Sequence, residues 1–242
     1  MIRGFYTSVS GLIANIDRQS VVADNIANVN TTGFKEARTG QSAFQVELAG
    51  ASGGTMGKLG TATYATGPLP SSAAGSLETT GVFTDLAIDG NGLFVVASDG
   101  GFALTRAGDF VVDANGTLTT QAGQPVLAID GQPIVLPSGA NGLTIGPDGT
   151  IAQTGQRIAV VDWPAGGLVR LGGNLYASAD GTPLNLSGTS RVVQGMLERS
   201  NVDLARAMTE LISFQRALGL NARALSLQDE SLGEAVQLGR PR

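Results

Sequence analysis

Val21-Val22-Ala23-Asp24-Asn25-Ile26-Ala27-Asn28-Val29-Asn30-Thr31-Thr32-Gly33-Phe34-Lys35 is the most distinctive stretch of the chain. It reads as the exit of a helix. Asn28 and Asn30 tolerate left-handed backbone geometry and can bond their own backbone, Gly33 permits a positive φ, and Phe34 supplies an anchor for the turn. Upstream of it, Phe5, Val9, Leu12, Ile16, Gln19, Ala23 and Ile26 recur at alternating spacings of 4 and 3. That is an a/d heptad seam with one polar member, and it predicts a helix over roughly residues 4–28. An ordinary amphipathic helix on a local core has the same spacing over so few heptads.

The far end of the chain carries the same signal. Leu204, Met208, Leu211, Gln215, Leu218, Ala222, Leu225, Asp229, Leu232 and Val236 also alternate 4 and 3, and only Gln215 and Asp229 are polar. Ser200 or Asn201 can cap this helix, and Asp203 suits the dipole of its first turn. Two such stripes can bury each other as an antiparallel pair about 35–50 Å long at 1.5 Å per residue. A lone pair leaves apolar surface exposed, so further copies are needed to cover it. In that pairing Gln19 and Gln215 come to nearly the same height. They either fix the helix register or face a solvated groove between subunits.

Between the ends the pattern changes. Leu86-Ala87-Ile88 and Leu93-Phe94-Val95-Val96 are short apolar runs around Asp89-Gly90-Asn91-Gly92. Asp99-Gly100, Asn115-Gly116, Asp130-Gly131, Asp148-Gly149 and Asp180-Gly181 are hairpin signals. Strand-like pieces such as 108–112 and 157–163 lie among them. The predicted fold is therefore α+β, with N- and C-terminal helices paired as a coiled coil around a central antiparallel sandwich or barrel. The predicted boundaries are 1–35 for the first helix, 36–81 for a Gly/Ser/Thr-rich arm, 82–192 for the β domain and 193–242 for the second helix. The arm reads either as a flexible linker or as a segment that orders against neighbouring subunits. Phe44, Val46, Leu48, Met56, Leu59 and Tyr64 favour the second.

Composition closes off several functions. The 242 residues carry a net charge of −5 and only two lysines, Lys35 and Lys58, which argues against a nucleic-acid partner. There is no Cys and no His, so thiol nucleophiles, His general bases, Ser-His-Asp triads and the usual zinc sites are excluded. Asp85 and Asp89 could be offered as a glycosidase pair, but Asp89 is better explained as the start of a tight turn. Asp113-Ala114-Asn115-Gly116 lacks the closing Glu of a calcium loop. Gly90-Asn91-Gly92 does not extend to a dinucleotide fingerprint. We expect no catalytic residue, metal, cofactor or small-molecule substrate. Met1-Ile2-Arg3-Gly4-Phe5 has a single basic residue, and the apolar stretch after it is broken by Asn15, Asp17 and Arg18, so it does not read as a cleavable signal peptide. A β-rich adhesin or carbohydrate-binding module with helical oligomerisation ends remains a rival. It would need exposed aromatic rings, and only Trp163 and three Tyr residues are at hand.

The opening string resembles the signature of bacterial flagellar rod and hook proteins, the axial proteins of the basal body. Its matching positions are Asn25, Asn28, Asn30, Thr31, Thr32, Gly33, Phe34 and Lys35. Ser10-Gly11-Leu12 precedes it as in that family. Residues 85–96, Thr105-Arg106-Ala107-Gly108-Asp109-Phe110, 194–203 and Gln215-Arg216-Ala217 continue the resemblance in family order. Leu93 departs from a position that is usually aromatic in that family, and Leu218-Gly219 from a pair that is commonly aromatic then acidic. The resemblance implies a structural subunit of the basal-body rod, stacked helically to carry torque from motor to hook. Its implied partners are copies of itself and other rod and hook subunits. It also implies export through the flagellar type III apparatus without a cleaved signal, to a place outside the cytoplasmic membrane. Without a large insert the chain fits a rod protein rather than the hook protein. On length it fits the proximal rod paralogue better than the distal one.

Overall fold

The computed structural model describes the backbone of residues 2–49, 55–98, 101–137, 143–164, 167–179 and 185–238, and the side chains of these apart from 2–7, 41–49, 55–65, 228, 232 and 234–238. Asp99-Gly100 and Asp180-Gly181 lie outside the described residues. The fold is α+β, with helices at both ends and short strands between them. It divides into two compact units. The helical unit comprises Met1–Ile26, Ala37–Pro68 and Asp203–Arg242, and the β unit comprises Ala27–Glu36 and Leu69–Val202.

In the helical unit, α1 (Ile2–Ala27) leads through β1 (Ala37–Arg38) into β2 (Gln41–Ala49) and β3 (Thr55–Ala65). The last two pair antiparallel from Gln41 opposite Ala65 to Ala49 opposite Thr55, with irregularities after Phe44 and Leu48. The Thr66 amide closes the base of this ribbon on the Gly40 carbonyl at 3.0 Å. The region read as an arm thus contains a β-hairpin, with Glu47 opposite Lys58 in register. Its many small residues hid the strands, although Phe44, Val46, Thr61, Thr63 and Tyr64 are strand formers. Helix α2 (Leu204–Leu238) is capped by Asp203, whose carboxylate accepts the Arg206 amide at 3.1 Å. Asp203 therefore does the capping expected of Ser200 or Asn201. The Asn201 side chain is engaged elsewhere.

The β unit holds β4 (Leu69–Pro70), β5 (Leu77–Thr79), β6 (Leu86–Asp89), β7 (Gly92–Ser98), β8 (Gly101–Thr105), β9 (Val111–Val112) and β10 (Leu118–Thr119). It continues with β11 (Val160–Asp162), β12 (Leu168–Gly172), β13 (Leu175–Ser178), β14 (Arg191–Gln194) and β15 (Met196–Glu198). A five-stranded antiparallel sheet runs β11-β7-β8-β13-β12, and β6 pairs with β14, β5 with β15, and β9 with β10. Strand β7 shows why its apolar run is continuous. Phe94 and Val96 enter one core with Leu86, Ile88, Phe110, Leu118 and Ile151, while Leu93 and Val95 enter a second with Leu104, Val161, Leu168 and Tyr176. The strand is apolar on both faces because the sheet is covered on both faces. Phe94 and Phe110 meet edge to face at 5.2 Å between ring centroids.

Four of the turns share one geometry. At Asp113, Thr120, Ala128 and Gly146 the amide bonds the carbonyl four residues on, and the glycine three residues on bonds back. Those glycines, Gly116, Gly123, Gly131 and Gly149, take φ between +77° and +84°. This is a type I turn closed by a left-handed glycine, one residue longer than the two-residue turn such dipeptides favour. At Gly108 the need for glycine is steric, since a Cβ there would sit 1.6 Å from the Leu86 carbonyl oxygen.

Candidate functional site

The distinctive segment after α1 is neither helix nor strand, yet Gly33, Phe34, Lys35 and Glu36 are buried. Local bonds shape its first turn. The Thr31 amide bonds the Asn28 carbonyl at 3.1 Å, the Thr31 hydroxyl donates to the Asn28 side chain at 3.2 Å, and the Phe34 amide reaches the Thr31 carbonyl at 3.3 Å. Gly33 takes φ +65°, whereas Asn28 and Asn30 do not adopt positive φ. The glycine alone makes the left-handed step, because the turn can be satisfied by the Asn28 side chain without it. Gly33 also lets the loop lie against Arg106 and Ala107, whose backbone a Cβ would meet at 2.3 Å. The Arg170 guanidinium lies 4.6 Å over the Phe34 ring.

Lys35 ends the segment in a buried ion cluster. Its Nζ donates to Glu198 Oε1 and to the Ala73 carbonyl, both at 2.8 Å. Arg106 Nε donates to the other oxygen, Glu198 Oε2. The three side chains are 1–3% exposed. Glu198 also accepts the Gly75 amide at 2.6 Å, and its own carbonyl accepts the Gly33 amide at 2.7 Å. The rest of the Arg106 fork donates to the carbonyls of Gly92, Ile88 and Gly90, so the turn between β6 and β7 serves as its cradle. Beside the cluster, Asn201 accepts the Glu36 amide at 2.6 Å and donates to Ala73 at 2.8 Å. Burial pushes the Lys35 ammonium below its usual range, against the pull of Glu198. Burial also pushes the Glu198 carboxyl up, but Arg106 and Lys35 together outweigh it and hold the group below the ordinary carboxylate range.

Of the other signature positions, Asn25 has a role within the helical unit. Its amide donates to the Ala37 carbonyl at 2.8 Å and accepts the Ala37 amide at 2.9 Å, bracketing the chain where it enters β1. Thr32 offers its carbonyl to Asn174 at 2.6 Å. Asn30 is exposed. Sequence reasoning did not find Arg106, Glu198 or Asn174 as partners of this segment. The residue types gave a signal only in retrospect, since a buried lysine needs a carboxylate.

The helices show a division of faces. The covered positions of α1 are Ala14, Val22 and Asn25. On α2 Ala207 is buried, and Glu210, Leu211, Phe214, Ala217, Leu218, Asn221 and Leu225 are half-buried. Of the seam residues read from the sequence, Val9, Leu12, Gln19, Ile26, Leu211, Leu218 and Leu225 are half-buried. Ile16, Ala23, Leu204, Met208, Gln215 and Ala222 are exposed, and the side chains of Phe5, Leu232 and Val236 lie outside the described residues. The Arg18 guanidinium lies 4.6 Å over the Phe214 ring. Arg18 and Phe214 each precede one of the two glutamines by one residue, and Gln215 itself is exposed. A second apolar set faces solvent. Ile13, Ile16, Met208, Ile212, Leu220 and Leu227 are 47–69% exposed.

The acid pair considered from the sequence is not the one brought together. Asp89 is exposed at the β6 turn, while Asp85 bridges to Asp109. Burial, and then the Asp85 charge, push the Asp109 carboxyl up. Among the described residues no three acidic side chains gather as a metal site, and no helix is long and apolar enough to cross a membrane.

Three family models match the chain. Residues 5–35 match the flagella basal body rod protein model, 87–153 the flagellar hook protein FlgE/F/G D1 domain, and 193–238 the flagellar basal body rod FlgEFG protein C-terminal region. The chain is 37% identical to the flagellar basal-body rod protein FlgG of Bacillus subtilis over 267 positions, covering 99% of this chain and 100% of the relative. It is 34% identical to FlgF of Rhizobium meliloti over 243 positions, covering 98% of each. It is also 34% identical to FlgF of Caulobacter vibrioides over 250 positions, with the same coverage of both.

Proposed function

The chain belongs to the flagellar basal-body rod protein family, as a structural subunit of that rod, and from this premise we propose that its copies pack through the second apolar face of the helical unit. The observation that carries the proposal is the exposure of Ile13, Ile16, Met208, Ile212, Leu220 and Leu227 in a single chain. One helix pair can bury one stripe on each helix, and each helix here carries two. The helices then act as a coiled-coil seam shared among copies, with the predicted seam residues divided between the pair and its neighbours. The signature residues fasten the chain where α1 ends.

On the same reading, residues 82–192 serve as a sandwich-like β domain, 36–81 as an arm toward neighbouring copies, and 1–35 with 193–242 as the terminal domain. The two-sided cores around β7 support the sandwich. The subunit is not an enzyme. It leaves the cytoplasm through the flagellar export apparatus without a cleaved signal and works outside the cytoplasmic membrane, passing torque toward the hook. Its neighbours are further copies and other axial subunits. On chain length we favour the proximal over the distal rod protein.

The test is Leu220→Asp, with Ile16→Asp as its counterpart on α1. Both positions are exposed, so the monomer should keep its helicity and its β-unit melt. A charge at a desolvated contact costs several kcal/mol, roughly what an assembly contact can supply. We expect loss of rod assembly and of swimming in strains whose own copy carries either change. Normal swimming would contradict the reading.

A further inference from the structure

The ion cluster in the β unit joins parts of the chain that are far apart in sequence. Glu198 lies 163 residues beyond Lys35 and 92 beyond Arg106. Segment 33–36 has no ladder of its own; Ser71 donates to the Glu36 carbonyl at 2.8 Å, and its other long-range backbone bonds meet the return of the chain. Gly33 bonds the Glu198 carbonyl, Glu36 bonds the Asn201 side chain, and the Asn201 amide reaches the Phe34 carbonyl at 3.4 Å. The charge count matters more than the bonds. Two buried cations share one carboxylate. If Glu198 is not in place, Lys35 and Arg106 face each other as like charges in a desolvated site, and Lys35 has every reason to leave.

We propose that Lys35, Glu198 and Arg106 form a closure latch, in which the segment after α1 becomes ordered only when strand β15 delivers Glu198 between the two cations. Glu198 is then a positioning residue for rod assembly, and it makes the order of an N-terminal segment depend on arrival of the chain's last strand. This goes beyond the subunit role and does not rest on which helix face packs against other copies. A subunit lacking its C-terminal part would expose residues 27–36 rather than present them folded.

Hydrogen exchange followed by mass spectrometry on the full-length monomer tests it. In Glu198→Gln, peptides covering 27–36 should exchange about tenfold faster or more, while β6, β7 and β8 keep their protection. Adding Lys35→Met to Glu198→Gln removes the repulsion, and protection of 27–36 should recover in part. A merely structural role predicts the opposite, since the second change would add to the damage. Unchanged exchange at 27–36 in Glu198→Gln, or a double variant less protected than the single one, overturns the latch. Should Glu198→Gln also lose protection in β6–β8, Lys35→Met alone decides. It leaves Arg106 and Glu198 balanced and must loosen 27–36 without touching the core. A Lys35→Met protein as protected there as the parent overturns the proposal.

Discussion

The β unit and the helical unit bury their large apolar side chains to different extents. In the β unit Leu86, Leu93, Phe94, Leu104, Phe110, Leu118, Ile151 and Tyr176 are almost fully enclosed. Among the described residues of the helical unit the best covered apolar positions are small, Ala14, Val22, Ala37 and Ala207, while isoleucines and leucines of both helices stand in solvent. One unit is a finished core. The other leaves apolar side chains of both helices in solvent, the face that on our proposal other copies cover. Helices of this kind take most of their stability from packing partners rather than from propensity, so the helical unit should be the less stable part of the free subunit.

The same truncation made in both units gives the sharpest contrast. Phe94→Ala should cost the β unit about 3–5 kcal/mol, the usual loss for an enclosed phenylalanine, and lower its thermal midpoint steeply. Leu220→Ala should cost the monomer less than about 0.5 kcal/mol, as expected of an exposed site, yet weaken assembly. A monomer destabilised equally by both would erase the distinction between the units.

Acid titration probes the β unit on a smaller scale, through two carboxyls of opposite sign. The folded-state pKa of Glu198 lies below its ordinary value, so its contribution is present above the ordinary carboxylate range and is lost as pH falls through the folded value. The folded-state pKa of Asp109 lies above its ordinary value, so its ionisation costs stability as pH rises through that value. Asp109→Asn should therefore raise the neutral-pH melting temperature of the β unit by a few degrees, and the advantage should shrink at acid pH. A variant that melts below the parent at pH 7 would mean that the Asp109 carboxylate has a favourable partner. The melt of the helical unit should not respond.

The two units were also legible in the sequence to different degrees. The central β content could be read because Leu93–Val96 is a continuous apolar run and because aspartate or asparagine before glycine marks turns. The helices could be read from their heptads. What the heptads could not decide was which seam positions are covered, because both helices carry further apolar residues beside the seam, such as Ile13 on α1 and Ile212 and Leu220 on α2. The cap was displaced from Asn201 to Asp203 because Asn201 satisfies Glu36 and Ala73, a demand set by tertiary structure alone. The hairpin in 41–65 was hidden by its small residues. The partners of Lys35 were out of reach of any local pattern, since Glu198 lies at the other end of the chain. Asn25 was singled out by resemblance, and its bracket on Ala37 supplies the physical reason for an amide there.

The central claim is that the β unit is complete in one chain and the helical unit is not. Hydrogen exchange of the verified monomer beside the assembled rod tests it most directly. The account predicts slow exchange of β6, β7 and β8 in both states, and rapid exchange of α1 and α2 in the monomer that slows by at least about a hundredfold on assembly. Helices as protected in the monomer as in the rod would contradict it.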